Sequence, residues 1–188
     1  MAMTNNALMD NAHMARALEI AERGRFTTKP NPVVGCLIVK GSKVLAEGWH
    51  ARAGCAHAEV NALQAAGEAA RDAQAVVTLE PCSHTGRTGP CVEALISAGV
   101  VRVTAAMQDP NPTVAGKGFQ RLRDAGMEVI VGVEGKRAAA LNPGFIRRMQ
   151  TGRPRIRVKL AASMDGRTAA SDGSSQWISC EDSREDVH

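Results

Sequence analysis

Residues 75–91 read AVVTLEPCSHTGRTGPC. AVVTLE is a short apolar run that stops at Pro81, which predicts a buried strand ended by a residue unable to donate to a ladder. From Pro90, the run CVEALISAG predicts a helix with proline at its first turn and glycine at its end. A strand therefore ends at one thiol, Cys82, and a helix begins at another, Cys91, with the eight residues SHTGRTGP between them. The flanking sequence repeats this alternation. VVGCLIVK (33–40), GSK and VLAEGWH (44–50) predict a hairpin. Residues 57–71 predict a helix, 100–107 a strand, 116–126 a helix, 127–133 a strand, and a further helix follows near 134–141. Leu8, Ala12, Ala15, Leu18 and Ile20 have roughly helical spacing and Gly24 offers a stop, so a first helix precedes the hairpin. A hairpin followed by alternating helices and strands predicts a three-layer α/β/α sandwich around a mixed sheet.

Composition sets the outer limits. The chain has 188 residues, 44% hydrophobic and 22% charged, which suits a globular protein. Aromatic residues are 3% with no tyrosine, which argues against a platform for stacking nucleic-acid bases. No run approaches a membrane span, and the N-terminus shows neither a basic segment nor an apolar signal core, so a cytoplasmic protein without membrane partners is expected. Five cysteines in that setting favour thiol or metal chemistry over a disulfide framework. Six basic residues, Arg147, Arg148, Arg153, Arg155, Arg157 and Lys159, crowd one segment that reads as a solvated linker. The pattern restarts at IRVKLAASMDGRTAA with an expected strand and loop, which divides the chain into residues 1–150 and a short second part, 151–188.

Three residues have the chemistry and placement of a metal site. His57 opens a helix, Cys82 follows a strand, and Cys91 opens a helix whose N-terminus favours the thiolate. Zinc takes imidazole nitrogen and thiolate ligands, and three protein ligands leave a fourth position for water. Such mixed ligands suit zinc better than iron or copper. Glu59 lies two residues beyond His57 and is placed to move a proton from that water to a leaving amine. Taken singly, His57 is more often a helix cap or core histidine, and Cys82 and Cys91 are more often buried apolar residues. Together they follow the order H-x-E then P-C found in zinc nucleobase deaminases, although the second thiol lies farther away than the usual two-residue gap. Cys55 is a rival ligand, and coordination by it as well would favour a non-catalytic zinc module. Cys36 reads as core.

The stretches TKPNPVVGC (28–36), HAEVNAL (57–63), TLEPCSHTGRTGPC (78–91), DPNPTVAGKG (109–118), LNPGF (141–145), KLAASMDGRTA (159–169) and SQWIS (175–179) together resemble the RibD family of bifunctional riboflavin-biosynthesis deaminase–reductases. The long gap between thiols belongs to that family's own pattern. The resemblance implies a cytidine-deaminase-like fold and one Zn2+ held by His57, Cys82 and Cys91, with Glu59 as proton shuttle. It implies hydrolytic deamination of 2,5-diamino-6-(5-phosphoribosylamino)pyrimidin-4(3H)-one to 5-amino-6-(5-phosphoribosylamino)uracil. Other superfamily deaminases, acting on cytidine, guanine or tRNA adenosine, are the rival enzyme reading. The family's substrate contacts map to Asn31, His50, His84, Arg87, Thr88, Asp109 and Asn111, with Arg87 suited to phosphate. Relatives form dimers or larger homo-oligomers, so the same is expected here.

The second part resembles the start of a dihydrofolate-reductase-like domain that uses NADPH. By that resemblance Ala162 and Trp177 lie near the cofactor and Ser175 near substrate. Such a fragment is too short for a core of its own, so no reductase activity is expected from these 188 residues. Departures from the family include Cys55 where relatives carry an acid, Gly89 where proline is frequent, and SMDG in place of SLDG.

Overall fold

The computed structural model describes residues 5–85 and 89–187. The chain divides into two compact units, Met1–Arg155 and Ile156–His188. The first is built on a five-stranded sheet in the order β2-β1-β3-β4-β5, with β1 Gly35–Lys40, β2 Lys43–Trp49, β3 Gln74–Val77, β4 Arg102–Ala105 and β5 Glu128–Val131. β1 runs antiparallel to both β2 and β3, whereas β3, β4 and β5 are parallel, so the sheet is mixed as expected. The two-residue connection Gly41–Ser42 closes the hairpin, with Lys40 opposite Lys43.

Alternation along the strands builds the three layers. Leu37, Val39 and Val76 face α1 (Asn5–Ala21), where they pack with Met14, Ala17, Leu18 and Ile20. Ala138 of α5 (Gly135–Leu141) joins the same layer. Cys36, Ile38, Ala75, Val77 and Val103 face the opposite side. There they meet Ala58 and Ala62 of α2 (Ala58–Ala66), Val92 and Leu95 of α3 (Cys91–Ser97), and Phe119 and Leu122 of α4 (Lys117–Asp124). Full burial of each large side chain here contributes roughly 1.5–3 kcal/mol.

The inner face of α1 differs from the expected one. Leu8 is 53% exposed and Ala12 is exposed, whereas Asp10, His13, Met14, Ala17, Leu18 and Ala21 are buried. Two polar residues belong to the buried stripe because each has a partner across the layer. Asp10 accepts from Gln74 and Arg102 at 2.9 and 2.6 Å, and the His13 ring lies 3.4 Å from the Ser42 carbonyl. Leu18 and Ile20 are buried as expected, whereas Leu8 and Ala12 are exposed because Asp10 and His13 take inward positions in the early turns.

Two further expectations fail. The basic segment is not linker throughout: Pro143–Thr151 forms a helix, α6, with proline at its start and Gly152 in the left-handed region at its end. The strand expected within IRVKLAASMDGRTAA (156–170) is not formed, and that stretch pairs with no other strand among the described residues. A strand needs a neighbour for its backbone groups, and the described part of the second unit offers none. Ile156, Val158 and Leu160 are each more than 70% exposed. The described part of that unit contains one short helix, α7 Glu181–Glu185, and the Arg184 guanidinium sits 4.0 Å over the Trp177 ring. No described helix is long and apolar enough to cross a membrane.

Candidate metal centre and active site

Close backbone packing places the first part of the site. A β-carbon on Gly48 would meet the Ala58 carbonyl oxygen at 2.3 Å and the Ala62 nitrogen at 2.4 Å, so α2 rests directly on β2. This contact fixes the N-terminal end of α2, where His57 is the extended N-cap residue and Glu59 lies in the first turn. β3 and the turn after it bring in Cys82, and Cys91 opens α3 behind Pro90. The Cys91 N–H donates to the Cys82 sulfur at 3.4 Å, and the Val92 N–H donates to the Cys82 carbonyl at 3.2 Å.

His57, Cys82 and Cys91 converge so that one donor atom from each lies within 4.8 Å of the others. The His57 Nδ1 is 3.2 Å from the Cys91 sulfur and 3.5 Å from the Cys82 sulfur. A tetrahedral zinc ion with bonds of ~2.1 Å to nitrogen and ~2.3 Å to sulfur separates its ligands by about 3.6–3.8 Å. The donor set and spacing therefore fit zinc with small adjustments. Cys55 is exposed and stands outside this cluster, so the rival ligand drops out, while Cys36 is buried core as expected. The cluster already favours a thiolate: hydrogen bonds from Cys91 and His57 hold the Cys82 thiol down at about 4 against the opposing effect of burial. The hydrogen bond to Cys82, then burial, push Cys91 far up.

Glu59 is 4% exposed. Burial raises its carboxyl to about 7, opposed by its own backbone N–H, with the nearby Cys82 charge adding to the rise. A carboxyl with that value can both accept and release a proton near neutral pH.

His57, Glu59 and Cys82 line a cavity of about 350 Å³. Asn31, His50, His84, Asp109 and Asn111 also line it. His50 is buried, and its Nδ1 lies 3.1 Å from the Ala56 carbonyl, which can only accept. Nδ1 therefore carries the proton and the bare Nε2 accepts from the Asn31 Nδ2 at 3.1 Å. Burial lowers the His50 pKa, in keeping with this neutral form. The pair holds the Asn31 amide with its oxygen left for a ligand. Asp109 and Asn111 cap their own turn, the Asp109 carboxylate accepting from the Asn111 N–H at 2.8 Å and the Asn111 oxygen from the Thr113 N–H at 3.1 Å. Arg87 and Thr88 lie outside the described residues. Ser175 and Trp177 line a separate cavity within the second unit, and Ala162 is exposed and not part of that lining.

Two supports of the cavity escaped the sequence reading. Glu80, 4% exposed, accepts backbone N–H bonds from Asp109, Gly116, Gly118 and Phe119 at 3.1, 3.0, 2.9 and 3.4 Å. A β-carbon on Gly118 would strike the Pro81 carbonyl oxygen at 2.1 Å, so glycine is required where α4 meets this carboxylate. Glu80 thereby straps the loop bearing Asp109 and Asn111 to the end of β3. Asn142, between α5 and α6, accepts from the Val33 N–H at 2.7 Å and donates to the Val33 carbonyl at 2.8 Å. It pins the loop bearing Asn31 to α6, whose Phe145, Arg148 and Met149 line the cavity. Glu80 bonds mainly to main-chain donors, which carry no signature in the sequence. The α6 helix did have one: Pro143 at its start, Gly152 at its end, and lining residues spaced three and four apart.

Comparison with known proteins agrees with this geometry. The family described as "Cytidine and deoxycytidylate deaminase zinc-binding region" matches residues 8–107, and the "RibD C-terminal domain" matches residues 154–188. The riboflavin biosynthesis protein RibD of Escherichia coli (strain K12) is 59% identical over 96% of this chain and 49% of its own length. Form 1 of Acinetobacter baumannii RibD superposes with a TM-score of 0.92 at 53% identity, covering 96% of this chain and 51% of that one. A Thermotoga maritima structure described as a diaminohydroxyphosphoribosylaminopyrimidine deaminase/5-amino-6-(5-phosphoribosylamino)uracil reductase gives a TM-score of 0.91 at 39% identity, over 98% of this chain and 53% of that one. The chain thus spans about half the length of the curated relatives it matches.

Proposed function

This chain belongs to the cytidine and deoxycytidylate deaminase zinc-binding family, and from that membership we propose that its first unit is a zinc-dependent deaminase of riboflavin biosynthesis. The substrate is 2,5-diamino-6-(5-phosphoribosylamino)pyrimidin-4(3H)-one, matching the activity named for the Thermotoga maritima relative. The observation that carries the reading is Glu59, buried in the wall of the cavity beside His57, Cys82 and Cys91.

His57, Cys82 and Cys91 would hold the zinc, which when bound supplies a Lewis acid that makes water a nucleophile near neutral pH. Glu59 takes one proton from the water that adds to C2 of the pyrimidine. It then gives that proton to the exocyclic nitrogen, so that a C–O bond forms, the C–N bond breaks and ammonia leaves. The carboxyl value of about 7 suits both halves of this transfer. His50 holds Asn31 for the ring, and Asp109 and Asn111 line the wall secured by Glu80. His84, Arg87 and Thr88 contribute to binding the phosphoribosyl group.

In the whole protein, the domain that begins in the second unit reduces the ribosyl group with NADPH. Ala162 and Trp177 serve the cofactor there, and Ser175 serves the substrate. The whole protein works as a homo-oligomer.

The test is ammonia release by the 188-residue chain from the diaminopyrimidinone ribosyl phosphate, beside cytidine and guanine, with metal measured on the same sample. Release from the first compound alone, at about one zinc per chain, is expected. Release from cytidine or guanine instead would overturn the substrate assignment.

A further inference from the structure

We propose that Arg148 on α6 is a second phosphate-selecting residue of the cavity, in addition to Arg87, with Phe145 and Met149 as the apolar wall beside it. The proposal rests on the deaminase reading above and adds a specificity determinant to it. Residues 145, 148 and 149 are spaced so that they share one side of a helix, and all three line the cavity. Arg148 is the one lysine or arginine among the described lining residues. Its guanidinium makes no hydrogen bond or ion pair with the described residues, so its five donors remain for a ligand.

The distribution of charge gives the cavity a direction. Glu59, Glu80 and Asp109 carry its acids and are buried or half-buried, whereas Arg148 is exposed at the rim. A dianionic phosphate placed among the acids would be repelled, and Glu80 has its own donors already. With the amino-bearing carbon beside Glu59, the ribosyl phosphate at the far end of the substrate points outward to the rim. The helix that carries Arg148 is also fixed in place. Asn142 bonds both backbone groups of Val33 at its start. A planar guanidinium held by a docked helix is suited to two-point contact with phosphate.

The experiment compares wild type, Arg148→Ala and Arg148→Lys as zinc-loaded full chains. Ammonia release is measured with the ribosyl phosphate substrate and with its dephosphorylated riboside, and binding of ribose 5-phosphate is followed by calorimetry. Arg148→Ala should raise KM for the phosphorylated substrate about 10- to 100-fold, leave kcat within about 2-fold, and leave the riboside unaffected. It should weaken ribose 5-phosphate binding by a similar factor, and Arg148→Lys should recover part of each loss. Equal changes for both substrates, or none for either, would overturn the proposal while leaving the deaminase reading intact. A wild type that releases no ammonia but binds ribose 5-phosphate through Arg148 would sink the deaminase reading and leave the phosphate site standing. No ribose 5-phosphate binding by wild type would overturn the site directly.

Discussion

Two glutamates, one at the start of α2 and one just past β3, line the same cavity and have the same 4% exposure, yet they are opposites. Glu80 accepts four backbone N–H groups. Glu59 has its own N–H and the Cys91 thiol, which do not offset its burial, and its carboxyl rises to about 7. Burial alone therefore does not decide what a carboxylate does. A fully satisfied carboxylate holds structure together, whereas one short of donors keeps a proton available for exchange.

Four substitutions test this difference between the two glutamates and their surroundings. The largest effect belongs to Glu59→Gln, which should lower kcat by about 10²–10⁴-fold while one zinc per chain is retained. The same variant should keep or raise the thermal midpoint, because a poorly solvated acid is removed. Loss of stability with turnover preserved would invert the comparison. Glu80→Gln comes next: it turns an amide donor towards backbone donors and should cost about 3 kcal/mol, a fall in Tm of about 6–12 °C. Thermal unfolding of the metal-loaded chain measures it, and an unchanged Tm would show that the four bonds contribute nothing net.

Asn142→Ala extends the comparison to an uncharged anchor. It leaves the two Val33 backbone groups unmatched and should cost about 2 kcal/mol, with KM rising more than kcat falls. Equal loss of kcat would place Asn142 closer to the chemistry than its geometry does. His50 gives the smallest effect. Its pKa is lowered in the folded chain by burial, so below its ordinary value near 6.5 the unfolded chain binds the extra proton first. Its contribution to stability is present above that pH and is lost as pH falls through the window below about 6.5. A His50→Gln chain should show a flatter dependence of Tm on pH between about 7 and 5 than wild type, and identical slopes would refute this.

The sequence reading succeeded where residue type itself carries the signal. The apolar runs at 33–40 and 75–80, the turn after Lys40, and Pro90 with Gly99 located the strands and helices that position the site. His57, Cys82 and Cys91 were legible because few side chains bind zinc. It failed where placement depends on partners distant in the chain. The inner face of α1 includes Asp10 only because Arg102 and Gln74 meet it. Glu80 owes its part to backbone donors 29 to 39 residues further on. The charge of Arg147 and Arg148 hid the helix they belong to.

The Asn142 side-chain amide joins positions 109 residues apart by two hydrogen bonds, accepting from the Val33 N–H and donating to its carbonyl. A ribosome delivers the chain from its N-terminus, so the loop that holds Asn31 is made long before its fastening. All three zinc-binding candidates, the last at Cys91, have been synthesised by the time residue 142 emerges. The order of synthesis thus lets metal capture come before closure of the cavity, and the last helix of the first unit works as a latch fitted after the contents.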